Sequence, residues 1–317
     1  MSLMIIDGNN IAYRVFHTPQ SSLTTKDGTP SGIIIGVLNM VKGYLEKFPE
    51  TTKVVICWDG GKAAWRKELY PDYKANRSYG ESEEEKARFK ALYEQIDTLH
   101  SFLPSIGVHS LKFKGWEADD LMYAITKLEP RESLVVTSDK DMFQLVDEKV
   151  SIYNLYKDVI ISHLNFFEQM GVTREQYMGY RALVGDVSDK IPGVDGIGEK
   201  TAKNLMSTYG HIDNVLNATG DALKALKKSK RTAKIFEEDN LKILGRNHRI
   251  MNFKYVDYSE VQEEILTTLG TPIQVNNKAV KDFFIKWQFA SILANYISWV
   301  SPYLALGEDV YESSNRP

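Results

Sequence analysis

The chain holds one cysteine, Cys57, in 317 residues. That excludes an intrachain disulfide, and its place in an apolar run reads as a buried structural thiol. Six histidines are scattered without the paired spacing of a zinc site. There is no run of about 18 apolar residues and no secretory pattern at Met1-Ser2-Leu3, so an intracellular protein that does not enter a membrane is expected. A Walker phosphate loop is excluded because Glu199 separates Gly198 from Lys200. A dinucleotide fingerprint is excluded because a helical segment and Pro192, rather than a strand, precede the glycines. Neither charge sign is in marked excess: 39 Lys and Arg against 42 Asp and Glu leave a net charge of -3. A buried acid cluster would mask a basic surface in that sum, so it does not decide against nucleic acid.

What is present is organised around residues 115–144. Glu117, Asp119 and Asp120 open a helical segment, with Glu117 and Asp120 on one face at i, i+3 spacing. Leu134-Val135-Val136-Thr137 reads as a short buried strand, and Asp139 and Asp141 follow its end. N-capping explains any one of these acids. Five together would repel unless cations sat among them, and hard oxygen donors suit magnesium or manganese. The pattern recurs. Leu3-Met4-Ile5-Ile6 runs into Asp7, and the apolar run 53–58 runs into Asp59. Asp59-Gly60 alone would be an ordinary turn. Helical segments such as 32–48 separate the strands, which argues an α/β fold with a mostly parallel sheet. Ligands then sit at the carboxyl ends of the strands, where Asp7, Asp59, Asp139 and Asp141 would face Glu117, Asp119 and Asp120.

Residues 62–92 mix Arg66, Lys67, Lys74 and Arg77 with Trp65, Tyr70 and Tyr73, a mixture suited to phosphate contact and base stacking or to a solvated helix pair. A helix is expected over 86–103, a β-hairpin over 150–162 and a helix over 172–184. Asp186 and Asp189 precede the glycine-rich stretch Ile191-Pro192-Gly193-Val194-Asp195-Gly196-Ile197-Gly198-Glu199-Lys200-Thr201-Ala202. Small glycines there let turn amides approach a DNA phosphate ahead of a helix N-terminus. Lys224, Lys227, Lys228, Lys230, Arg231 and Lys234 form a basic run suited to duplex backbone. The aromatic segment 280–300 reads as a core-packing helix, and 307–317 as a frayed tail.

Taken in order, Ile6-Asp7-Gly8-Asn9, Trp58-Asp59-Gly60, Tyr73-Lys74-Ala75-Asn76-Arg77, Glu117-Ala118-Asp119-Asp120, Ser138-Asp139-Lys140-Asp141, Gly185-Asp186-Val187-Ser188-Asp189 and the 191–202 hairpin resemble the 5′-nuclease family. That family includes the 5′-nuclease domain of bacterial DNA polymerase I, bacteriophage 5′-3′ exonucleases and flap endonucleases. The resemblance covers roughly residues 1–244. It implies a PIN-like α/β nuclease core over 1–170 with a helical arch at about 70–103. A helix-hairpin-helix (helix-3-turn-helix) DNA-binding region over 171–260 and a helical extension over 261–317 would follow. A free-standing, phage-type enzyme is expected.

Carried over by position, the resemblance implies two-metal phosphodiester hydrolysis, with magnesium ions roughly 4 Å apart and manganese as substitute. Asp7, Asp59, Glu117, Asp119 and Asp120 would form the inner metal site, and Asp139, Asp141, Asp186 and Asp189 the second set. Lys74 and Arg77 would steer the scissile phosphate, Arg14 and Arg181 would lie near it, and Tyr73 would stack on a base. Gly193, Gly196, Gly198, Lys200 and Thr201 would hold duplex, with a potassium ion at hairpin carbonyls, and Lys227, Lys228, Lys230 and Arg231 would add backbone contacts. The implied partners are branched or 5′-ended DNA, including 5′ flaps and RNA-DNA primers, and replication proteins. A monomer in the cytoplasm, the host's if phage-encoded, is implied. A junction resolvase of the same superfamily and a non-catalytic branched-DNA-binding protein are the alternatives; the latter would lack motif acids, and all are present. Lys190 departs from the Asn usual in polymerase-linked relatives.

Overall fold

Period-two alternation builds the sheet. In the computed structural model, which describes residues 2–75, Gly80 and residues 82–307, strand β1 (Leu3–Asp7) buries Leu3 and Ile5 on one face and Met4 and Ile6 on the other. Burial on both faces is the mark of a covered parallel sheet. The chain continues through α1 (Gly8–Phe16), α2 (Gly32–Lys47), β2 (Lys53–Cys57), α3 (Ala64–Leu69), α4 (Glu83–Phe102), β3 (His109–Leu111), α5 (Ala118–Leu128), β4 (Ser133–Thr137), β5 (Val150–Asn154) and β6 (Val159–Ile161). Strand order is β3-β2-β1-β4-β5-β6. All neighbours are parallel except β6, which closes one edge as the expected hairpin with β5. From β1 the chain adds β2 on one side and, after α5, β4 on the other, so a switch point opens at their carboxyl ends. The three-residue β3 has no counterpart in the sequence reading; with His109 and Ser110 in it, it is too short and polar to carry a period.

One face packs on α5, the other on α1, α2 and α4. After β6 come α6 (Phe166–Met170), α7 (Arg174–Val184), β7 (Gly185–Asp186), β8 (Ile191–Pro192), α8 (Glu199–Tyr209), α9 (Ile212–Leu216), α10 (Gly220–Lys228), α11 (Lys230–Ala233), α12 (Glu238–Met251) and α13 (Ser259–Gly270). Helix α7 starts later than expected because Thr173 and Gln176 close a capping box.

The aromatic C-terminal segment is a correction in form. The single helix expected over 280–300 is three: α14 (Asn277–Lys286), α15 (Ala290–Ala294) and α16 (Tyr296–Leu304). Gln288, with φ 57, adopts the left-handed conformation that ends the first. The expected core packing is observed. Phe283 stacks on Phe102 at 3.7 Å, Trp299 meets Phe284 edge-on at 4.9 Å, and the Tyr303 hydroxyl donates to the Leu38 carbonyl at 2.9 Å. These rings complete the α2 side of the sheet, so the extension is part of the core. Most of the proposed tail, Asn76–Tyr79 and Glu81 lie outside the described residues; Arg77 and part of the arch fall there.

Candidate active site

Each acid is delivered by a strand end or a helix start. Asp7 closes β1 and caps α1, its Oδ1 accepting the Asn10 amide at 2.9 Å and its Oδ2 the Thr137 hydroxyl at 2.9 Å. Asp59 follows β2; its amide donates to Asn9 Oδ1 at 2.8 Å and its carboxylate accepts the Ala118 amide of α5 at 2.8 Å. Gly60 is required there, because a Cβ would lie 1.8 Å from the Phe113 carbonyl oxygen. Its amide bonds the Trp116 carbonyl at 2.8 Å, which pins the end of β2 beside Glu117. Glu117 caps α5 and Asp119 lies in its first turn. After β4, the Asp141 amide donates to Asp139 Oδ1 at 2.7 Å.

Crowding is written into the proton affinities. Burial, reinforced by the Asp59 and Asp139 charges, pushes the Asp7 carboxyl up to about 7. Burial and the charges of Asp139 and Asp186 push Asp141 up to about 7 despite Arg181. Asp119 is raised well above the usual range by burial and by Asp139 and Asp7, and Asp139 is raised by burial and by Asp189 and Asp186. Burial first, and mutual repulsion after it, make this set of carboxylates receptive to cations.

Three side-chain cations already stand among them. Glu117 Oε2 accepts from Lys74 Nζ at 2.9 Å, from the Tyr73 hydroxyl at 2.9 Å and from Arg66 Nη1 at 3.4 Å. Although burial opposes it, Lys74 and Arg66 hold the Glu117 carboxyl below its ordinary value. Lys74 also approaches Asp189 Oδ2 at 3.8 Å. Arg181 Nη2 bridges Asp141 and Asp186 at 2.7 Å each. Burial raises Asp186, yet the Ser188 hydroxyl and Arg181 bring it below the ordinary range.

An open cleft of about 1090 Å³ is lined by Asp7, Asp59, Glu117, Asp119, Asp139 and Lys74, with Lys62, Lys86 and Lys90 also on its walls. A cavity of about 10 Å³, room for one water, joins Glu117 and Asp119 to Asp141 and Asp189. Both expected acid sets therefore meet. Among the described residues, no three acid, histidine or cysteine side chains are already arranged to hold a metal ion. The donors nonetheless fit a hard divalent cation in chemistry: they are all carboxylate oxygens, crowded and raised in proton affinity.

Five expectations are corrected. Asp120 is withdrawn from the inner metal set: it is 1% exposed and both its oxygens are taken by Arg66, at 2.6 and 2.7 Å. Tyr73 is buried against Ile191, Ile250 and Met251, so its ring is not offered to a base. Arg181 is buried between two carboxylates rather than facing DNA. Arg14 is exposed and does not line the cleft. Arg66, in the segment suited to phosphate contact or to a solvated helix pair, is neither and is a buried counterion. The signal for it lay in Asp120, which sits in the buried stripe with Leu121, Ala124 and Ile125, where an unpaired carboxylate is untenable. Asn9 and Thr137, which orient Asp59 and Asp7, gave no such signal.

The hairpin begins at Ile191, which lines the small cavity beside the acids. Gly196 has φ 77, Gly198 caps α8, and Gly196, Gly198 and Lys200 are exposed, while Gly193 and Thr201 are half-buried. Lys227, Lys228, Lys230 and Arg231 are exposed, and Lys234 pairs with Asp195, which ties the basic run to the hairpin.

A family model for the 5′-3′ exonuclease, N-terminal resolvase-like domain, matches residues 2–174, and one for the 5′-3′ exonuclease, C-terminal SAM fold, matches residues 172–252. The chain belongs to the 5′-3′ exonuclease family. It is 34% identical over 223 residues to a 5′-3′ exonuclease of Bacillus subtilis, covering 68% of this chain and 72% of that one. It is 30% identical over 302 residues to the 5′-3′ exonuclease of Buchnera aphidicola from Schizaphis graminum, covering 94% and 96%. A DNA polymerase I of Mycobacterium tuberculosis is 34% identical over 241 residues, but the match spans only 25% of that protein. The fold of this family member is that of bacteriophage T5 5′-exonuclease, with a TM-score of 0.65 at 22% identity, covering 91% of this chain and 98% of that one. Among the described residues, no helix of the nuclease is long and apolar enough to cross a membrane.

Proposed function

We propose that this nuclease hydrolyses phosphodiester bonds at 5′ ends, flaps and branch junctions of DNA with the help of two or more divalent metal ions, magnesium by preference. The observation that carries the proposal is the meeting of two acid sets at the floor of a cleft whose walls carry lysines. Asp7, Asp59, Glu117 and Asp119 would hold one ion, and Asp139, Asp141, Asp186 and Asp189 would serve the second position. Divalent ions so held supply charge to stabilise the phosphoryl transition state and lower the pKa of a bound water. The chain's own groups do the rest. Lys62, Lys86 and Lys90 draw the substrate backbone over the floor, and Lys74 offsets charge on the scissile phosphate. The hairpin amides at Gly193, Gly196 and Gly198, with Lys200, hold the adjoining duplex, a potassium ion at its carbonyls being part of the same reading. A division near residue 170 between nuclease core and hairpin region belongs to this proposal, as does monomeric, cytoplasmic action in replication and primer removal. In support, the T5 structure holds zinc ions, and the catalytic core of Rad2, similar in fold with a TM-score of 0.55, is seen with DNA substrate.

The test is a 5′-flap duplex labelled at each end in turn, in magnesium and then in EDTA. Release of an intact flap only in magnesium is expected, with Asp119→Asn lowering kcat by roughly 10²–10³-fold, the loss usual for one preorganised electrostatic group. Cleavage confined to a four-way junction would favour a resolvase. Tight binding without a cut in either magnesium or manganese would leave a branched-DNA binder.

A further inference from the structure

The carbonyl end of α12 is fastened to the acid floor by two side chains. Arg66, from α3 and 3% exposed, donates Nε to the Ile250 carbonyl at 3.0 Å while its two terminal nitrogens reach Asp120 and Glu117. Gln144, after β4, donates to the carbonyls of Asp141 and Met251, both at 2.8 Å, and accepts the Phe253 amide at 2.9 Å. Helix α12 in turn grips the hairpin: the fully buried Asn247 donates to the carbonyls of Ala182 at 3.0 Å and Pro192 at 2.8 Å. A path of polar contacts thus runs from β8 through α12 to Glu117. The last carbonyls of a helix lack partners of their own and carry partial negative charge. A guanidinium has five donors in a fixed fork and can serve a helix end and two carboxylates at once; an ammonium cannot span all three.

We propose that Arg66 is a positioning residue: it orients Glu117 directly, with Asp120 as its anchor, and fixes the metal-holding acids in register with the hairpin region through the end of α12. This rests on the reading of Glu117 as a metal-holding acid. Lys74 and Tyr73 also touch Glu117, and the Tyr73 ring packs on Ile250 and Met251; Arg66 is the one of the three that hydrogen-bonds both Glu117 and a carbonyl of α12.

Two variants test it. Arg66→Lys keeps the charge and loses the fork. The double variant Arg66→Met with Asp120→Leu removes the buried pair as a unit, a replacement proteins often tolerate without loss of stability. Magnesium binding is measured by calorimetry without DNA, beside the thermal midpoint and the map of cut positions on a 5′ flap. Magnesium binding is expected to weaken roughly 10–100-fold in both variants, the usual consequence of losing a residue that orients a ligand, and cuts should spread to neighbouring bonds. Wild-type magnesium binding and a single unshifted cut in either folded variant would overturn the proposal; a purely structural Arg66 would lower the thermal midpoint and move neither. If Arg66→Lys fails to fold, the double variant decides. Failure of the wild-type protein to bind or use magnesium would instead reject the functional reading itself.

Discussion

The acid floor and the basic hairpin both carry many charges, and they handle them in opposite ways. At the floor Asp7, Glu117, Asp120, Arg66, Lys74 and Arg181 are all 5% exposed or less. Each must be hydrogen-bonded or paired, because a lone charge in low dielectric is untenable. In the basic run tied to the hairpin, Lys227, Lys228, Lys230 and Arg231 are exposed, and water and salt balance them at little cost to the fold. The floor therefore has charge positions that the fold enforces, while the hairpin has charges that a polyanion can recruit.

The sharpest break in that contrast is a matched pair of deletions. Arg181→Met strands Asp141 and Asp186 in the interior and should cost about 3–5 kcal/mol, as loss of one partner of a buried pair does. Lys234→Ala removes the partner of Asp195 at the exposed hairpin, where ion pairs contribute little. Urea unfolding of the two proteins beside the wild type measures both. Equal shifts in midpoint would erase the distinction between the regions.

Acidity gives a second, smaller handle. Asp7 and Asp141 hold their protons to about 7 in the folded chain and to 3.8 ordinarily. Between those values the folded state binds more protons than the unfolded one, so stability falls as pH rises from about 4 to about 7. His109 works the other way. Burial, with Lys53 and Arg131 nearby, lowers it to about 4, so its contribution falls as pH drops below its ordinary 6.5. Glu117 and Asp186, lowered in the fold, have the opposite sign, and what they contribute is lost only as pH falls through their ordinary values and below. Asp119 and Asp139 are raised as well, and together the four carboxylates outweigh the lowered imidazoles of His109, His100 and His248. Thermal midpoints in EDTA should decline from pH 4.5 to 7, less so in Asp7→Asn, and magnesium should restore the loss at pH 7. A rising profile in EDTA would contradict the floor's charge state.

The floor was legible in the sequence because three strands, β1, β2 and β4, each run into an acid, a pattern that parallel topology turns into a shared crevice. Asp7, Asp59, Asp119 and Asp139 are found lining that crevice. Basic and aromatic residues misled because type does not encode exposure. Arg66, Tyr73 and Arg181 have the chemistry of DNA contacts, yet the floor's need for counterions and donors claims all three. The ion pair from Arg66 on α3 to Asp120 on α5, a long-range contact, distinguishes Arg66 from its neighbour Lys67. The three-way break of the C-terminal helix was hidden similarly, since Gln288 has no strong preference for the left-handed backbone it adopts.

The smallest effect concerns the hairpin. If its exposed cations meet duplex phosphates, each contact releases about one counterion, so the logarithm of affinity falls with the logarithm of salt by roughly 0.9 per contact. Lys228→Ala and Lys230→Ala should each lower that slope by about 1 and weaken binding evenly across duplex sequences. Turnover at saturating substrate should not change, because neither lysine reaches the floor. The measurement is fluorescence anisotropy of a labelled flap duplex over a salt series, in calcium to suppress cleavage. An unchanged slope in both variants would remove the 227–231 run from the interface and leave duplex binding to the hairpin backbone, whose amides no side-chain substitution deletes.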